Sequence, residues 1–217
     1  MTLSLNKFKQ ELNIQDGVIY EVLVTTINDG KPNFAAMGIT FEKESLVMQP
    51  FVSTTTIQNL QSIGECVIHF SRDLNLFILG ALKKTPHATN LAFTSSTSVV
   101  PPTCRTPSIF AWLECTIKSL DIHNDRGKAK LVPVVLKIQQ RNNPFTRAET
   151  ILMECIIHAT RVNIPSLSPE LRTFMRELFL HYKGIISRIA PNTKYEEQMN
   201  YIFQLIERQE LRKKNQR

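Results

Sequence analysis

Apolar positions in this chain follow two different rhythms. Over the first two-thirds they come in short runs rich in Val, Ile, Tyr and Thr; in the last third they recur every three or four residues. The first rhythm predicts strands and the second amphipathic helices. After a short N-terminal helix, "GVIYEVLVTTIN" and "PNFAAMGITF" flank Asn28-Asp29-Gly30, a hairpin signal because Asp-Gly tolerates positive φ. "SLVMQPF" predicts a third strand and "ECVIHFS" a fourth, with a short helix over "IQNLQSI" between them and another around "DLNLFILGAL". Residues 83–108, with their Pro, Ser and Thr, read as a long irregular connection. "FAWLECTIKSLDIH" and "KAKLVPVVLKIQQ" are two longer strands joined by the turn "NDRG", with Pro133 expected at an edge or a bulge. Six strands joined mainly by hairpins predict a small antiparallel barrel rather than a parallel sheet.

The last third is helical in pattern. "TRAETILMECIIHATR" opens with Thr146 and Glu149 at capping-box spacing, and Ala148, Ile151, Leu152, Cys155, Ile156 and Ala159 share one face. Ser168-Pro169 reads as an N-cap followed by proline in the first turn, ahead of a stripe of Leu171, Phe174, Met175, Leu178 and Tyr182. Thr193 and Glu196 form another capping box before Tyr195, Met199, Ile202, Phe203 and Ile206. The expected class is therefore α+β: an antiparallel six-stranded barrel followed by a C-terminal helical segment.

Composition changes this picture little. With 217 residues, 42% hydrophobic and 21% charged, the chain can bury a core without covalent staples. No apolar run is long enough to span a bilayer, and the N-terminus lacks the apolar core of a signal peptide, so the expected location is cytoplasmic. Cys66, Cys104, Cys115 and Cys155 show no C-x-x-C pair and are expected as reduced, buried thiols. The five histidines are equally scattered, so no metal site is expected. The net charge of +7 is dispersed, its densest cluster being the tail "LRKKNQR". No basic stretch is interleaved with aromatics, which argues against a barrel that binds nucleic acid.

Two stretches carry candidate chemistry. "PFVSTTTIQNL" places Ser53, Thr54, Thr55 and Thr56 in a row at a helix start. A cap needs one such residue, and extra Thr residues cost helix propensity. The row is either an overbuilt cap or an anion site, since a helix N-terminus gathers N–H donors and partial positive charge. In "NFAAMGI", Ala35, Ala36 and Gly38 either pack under a helix or let a flat ring approach the backbone. A planar ring and a phosphate tail could both be served by these neighbouring stretches.

In that order, "VTTINDGKPNFAAMGI" and "TTTIQNLQSIGECVIHF" resemble the FMN-binding split-barrel proteins, in particular the flavin reductase-like group. "PFTRAETILMECIIHATR" is similar to the helical motif of an uncharacterised, mainly archaeal family within that fold. The resemblance implies an FMN-binding split-barrel domain over 1–142, a helical segment over 143–217, and a homodimer with FMN near the subunit interface. Carried over, Asn33, Ala35, Ala36, Met37 and Gly38 would line the flavin ring. Ser53, Thr54, Thr55, Thr56 and Asn59 would hold the phosphate and ribityl end. His69 and Phe70 would wall the pocket, and Arg147 would add a cation unless it is simply a surface charge. Ala36 stands where the family often has Pro, and Thr146 where its helical motif has Asn.

Flavin chemistry belongs to the cofactor, and no protein nucleophile or general base is required or visible. Two functions follow: an FMN-dependent oxidoreductase, reduced by a nicotinamide nucleotide that stacks transiently on the flavin, or a carrier or sensor that holds FMN without turnover. A substrate is not legible in the residues.

Overall fold

The computed structural model describes residues 3–82, 91–161 and 168–214. Its chain forms two compact units, one of residues 1–16 and 20–145, the other of 17–19 and 146–217.

In the first unit, helix α1 (Leu5–Glu11) is capped by Ser4 and buries Phe8. Strands β1 (Ile19–Asn28) and β2 (Lys31–Phe41) are joined by Asp29 and Gly30 at φ 48° and 71°. Two left-handed residues give the turn whose twist matches antiparallel strands, which is why Asp-Gly stands there. β3 (Leu46–Met48) follows, then α2 (Thr55–Ile63), which ends at Gly64 in the left-handed region. β4 (Glu65–Ser71) leads into α3 (Leu74–Ala81). The connection expected to be irregular carries a two-stranded ladder, β5 (Phe93–Thr94) with β6 (Thr103–Cys104); its residues 83–90 lie outside the described ones. The long hairpin β7 (Ile109–His123) and β8 (Arg126–Ile138) completes a closed barrel in the order β1-β2-β3-β8-β7-β4. Pro133 sits opposite Cys115 where the β7–β8 register shifts, a bulge that tolerates its missing donor.

Two apolar layers hold this unit. One is aromatic: Phe70 lies 5.5 Å from Phe8, 6.3 Å from Phe41 and 6.4 Å from Phe110 between ring centroids. The other joins Leu23, Phe34, Val67 and Trp112 of the strands to Leu76 of α3 and to Val99, Cys104 and Ile109. Register pairs Leu23/His69 and His69/Trp112 put those side chains on one face of the sheet, and Ile68/Leu113 on the other.

The second unit packs α4 (Arg147–Arg161), α5 (Pro169–Ile189) and α6 (Lys194–Lys214) against one another. Thr146 accepts the Glu149 N–H at 3.0 Å and Ser168 accepts that of Leu171, so two of the three expected caps form, whereas the Thr193 hydroxyl donates to Ala190 O at 2.7 Å. At α6, the Glu196 carboxylate accepts the Asn192 N–H at 2.8 Å. Ala148, Leu152, Cys155, Met175, Phe179, Ile186, Tyr195, Met199 and Ile206 are buried. The expected α5 stripe is displaced: Leu171 and Phe174 are exposed and Phe179 and Ile186 are buried instead. An apolar band wider than one helix contact lets packing choose its edge.

Candidate functional site

The hydroxyl row begins on a segment tied to the tip of the β7–β8 hairpin. Val52 N–H donates to Asp125 O (3.0 Å), Gly127 N–H donates to Pro50 O (2.9 Å), and Phe51 bridges to Arg126. The Arg126 guanidinium lies 3.3 Å from the Phe51 ring centroid and donates to Gln49 O at 3.0 Å. A Cβ at Gly127 would collide with the Ile57 side chain, so glycine lets the hairpin close on α2. These contacts fix where the helix starts.

The four hydroxyl residues then divide their work. Thr54 is the N-cap: its Oγ1 accepts the Ile57 N–H at 3.4 Å and donates to Phe51 O at 2.7 Å. Ser53 and Thr55, on either side of it, are exposed. Thr56 is buried with Asn59 one turn on. Opening a helix leaves its first N–H groups without intrahelical partners. The surface there thus combines first-turn amides, the hydroxyls of Ser53 and Thr55, and the neighbouring Arg126 cation.

Behind that surface lies a buried polar cluster. Asn33 Nδ2 donates to Thr26 Oγ1 and to Thr56 Oγ1, each at 3.1 Å, and Asn59 Nδ2 donates to Thr26 Oγ1 at 3.0 Å. Asn33, Thr56 and Asn59 are brought together as one buried group around Thr26, whose hydroxyl accepts from both asparagines. On β2, Ala35 is buried while Ala36, Met37 and Gly38 are half-buried. A Cβ on Gly80 of α3 would stand 2.7 Å from Ala36 N, so two small residues let helix and strand backbones meet. Packing under a helix therefore accounts for Ala36, while Met37 and Gly38 beside it keep accessible surface.

His69 and Phe70 are fully buried. Phe70 belongs to the aromatic layer and has no surface to offer a ligand. The His69 Nδ1–H donates to Leu23 O (3.2 Å), and Nε2 accepts the Cys104 N–H (2.9 Å). A carbonyl at one nitrogen and an N–H at the other fix the neutral tautomer. Burial, opposed by the Leu23 carbonyl and reinforced by the Arg105 cation, pulls its pKa down to about 4. This side chain pins β6 to the barrel. Arg147 is exposed in the first turn of α4, in the helical unit.

Sequence reading missed two residues here. Arg126 reaches the loop only through hairpin pairing, for which the sequence carries no sign beyond the turn itself. Thr26 lay in a strand full of β-branched residues, and alternation along β1 was the only available hint that it faces inward. Among the described residues no group of three metal-ligating side chains gathers, and no helix is long and apolar enough to cross a membrane.

A closed six-stranded antiparallel barrel with a hydroxyl-rich helix start after its third strand is a split-barrel architecture. Residues 20–140 match the family model described as "Protein of unknown function (DUF447) N-terminal domain", and the chain belongs to that family. Similar solved structures include the FMN-bound DUF447 protein MM1853 from Methanosarcina mazei. It has a TM-score of 0.52 at 19% identity over 90% of this chain and 98% of that one. Flavoredoxin from Methanosarcina acetivorans gives 0.50 at 14% identity, over 58% and 74%. No curated protein matches by sequence.

Proposed function

We propose that this protein binds FMN, with the phosphate at the start of α2, and works as a flavin-dependent oxidoreductase of the flavin reductase-like kind. The observation that carries the reading is the exposure of Ser53 and Thr55 on either side of an N-cap whose helix start is anchored beside Arg126. Two hydroxyls, first-turn amides and one cation fit a phosphate monoester, which takes several donors at once. The half-buried Met37 and Gly38 would meet the ring, with the Asn33–Thr56–Asn59 cluster holding the start of α2 from behind. Bound FMN would supply the hydride and electron transfer, while the chain holds it, orients it and limits access. The FMN-bound state of a DUF447 protein of the same fold agrees with this choice of flavin.

The protein would act as a homodimer with the flavin near the subunit interface, and a nicotinamide nucleotide would stack on the ring as electron donor. Its four free, buried cysteines suit a reducing compartment such as the cytoplasm. The test is to purify the protein without added cofactor, record its visible spectrum, identify any released chromophore, and follow NADH and NADPH oxidation against free FMN. Bound FMN with a rate above the free flavin is expected. Bound FMN without that rate would make the protein a carrier or sensor. A colourless protein that does not take up added FMN would overturn the reading.

A further inference from the structure

Thr26 lies near the end of β1, fully buried, and its Oγ1 is an acceptor that both asparagine side chains of the cluster share. It accepts from Asn33 on β2 at 3.1 Å and from Asn59 on α2 at 3.0 Å. Three elements meet at that oxygen. Thr56 and Asn59 lie one turn apart on the same face of α2, and Asn33 also donates to Thr56. The helix is therefore held against the hairpin at two points, the first of them next to Thr55.

We infer that Thr26 is a positioning residue for the phosphate end of the flavin site, setting the preference for a phosphorylated over an unphosphorylated flavin through α2; this rests on the FMN reading. The argument is geometric. Ser53 and Thr55 present hydroxyls only where the first turn of α2 places them, and that turn is fixed from outside by the hairpin tip and from inside by Asn33, whose amide Thr26 orients while also holding Asn59 one turn on. Loss of the oxygen would leave two buried N–H donors short of an acceptor, and such groups are satisfied by local rearrangement. The element free to shift is the short helix rather than the closed barrel. A displaced first turn would cost phosphate contacts and leave ring contacts on β2 largely alone.

The neighbouring Thr25 supplies the control. It is equally buried, and its Oγ1 has no hydrogen-bond partner among the described residues. Both Thr26→Val and Thr25→Val exchange a hydroxyl for a methyl at nearly constant volume, so only the first should matter to the ligand.

The experiment compares dissociation constants for FMN and riboflavin in the wild-type protein, T26V, T26S and T25V. T26V is expected to weaken FMN by tenfold or more while riboflavin changes by less than about threefold. T26S, which keeps the acceptor, restores the ratio, and T25V leaves it unchanged. An intact ratio in folded T26V, or an equal loss in T25V, overturns the inference. Should T26V fail to fold, T26A takes its place, since it also removes the shared acceptor: an unchanged FMN-to-riboflavin ratio in folded T26A overturns the inference and a selective loss of FMN supports it. A wild-type protein that binds neither flavin would instead defeat the FMN reading itself.

Discussion

The barrel unit buries polar side chains in two places, and the two end differently. Around His69 every ring nitrogen finds a backbone partner, and the group is sealed beneath the β5–β6 segment. Around Thr26, Asn33, Thr56 and Asn59 the hydrogen bonds run through three elements and stop one residue short of the surface, where Thr55 is exposed. The first arrangement closes on itself and can only hold structure together. The second backs a surface whose donors face outward. Burial of polar groups alone therefore does not mark a site; what marks it is a buried network that fixes exposed donors in place.

The largest expected effect sharpens the structural half of that contrast. His69 is neutral in the native state with its pKa near 4, while the unfolded chain titrates near 6.5. Between those values the unfolded state binds more protons, so stability rises with pH across the window, is fully present above 6.5 and is lost as pH falls toward 4. At roughly 1.4 kcal/mol per pK unit the loss is on the order of 3 kcal/mol. Urea unfolding at a series of pH values should show this slope in the wild-type protein and a shallower one in His69→Gln. Flavin affinity at neutral pH should follow neither change.

The functional half gives the next effect. Replacing Ser53 and Thr55 together by Ala would remove two exposed hydroxyl contacts to the proposed phosphate, each at the low end of the range for bonds to a charged group, about 1.5 kcal/mol. FMN affinity should fall about a hundredfold or more by fluorescence titration, with the melting temperature held within a degree or two because both residues are exposed. If stability falls and affinity does not, the contrast between the two regions fails.

The smallest effect concerns charge. Arg126→Gln removes an exposed cation stacked on Phe51, beside rather than within the hydroxyl pair. FMN affinity should drop by about five- to tenfold at low salt, and the difference from wild type should shrink as salt is raised, as screening requires. A difference that persists at high salt would assign Arg126 to holding the loop instead of attracting the ligand.

Much of this fold was legible because local chemistry dictates it. Asp29-Gly30 must turn, Thr146 and Ser168 cap helices that follow them, and Pro133 needs a bulge. The strand alternation then leaves a barrel as the natural closure. The candidate site was legible in part. The hydroxyl row announced a helix start, but the sequence did not tell which hydroxyl caps, which are buried and which are offered. That division depends on the hairpin tip meeting Phe51, a long-range contact. The small residues on β2 were ambiguous for a similar reason, since Gly80 of α3 comes to rest on Ala36 from a distant part of the chain. The resemblance implies a pocket wall at His69, at the end of β4; its burial against Cys104 is not legible, because that partner lies in a segment with no strand pattern and a two-residue ladder leaves almost no periodic signal.

The most direct measurement is a crystal structure of the protein with FMN. The account predicts the phosphate at the N-terminus of α2, within hydrogen-bond distance of the Ser53 and Thr55 hydroxyls, and His69 unmoved between Leu23 and Cys104. A flavin whose phosphate lies elsewhere, with Ser53 and Thr55 still facing solvent, would contradict it.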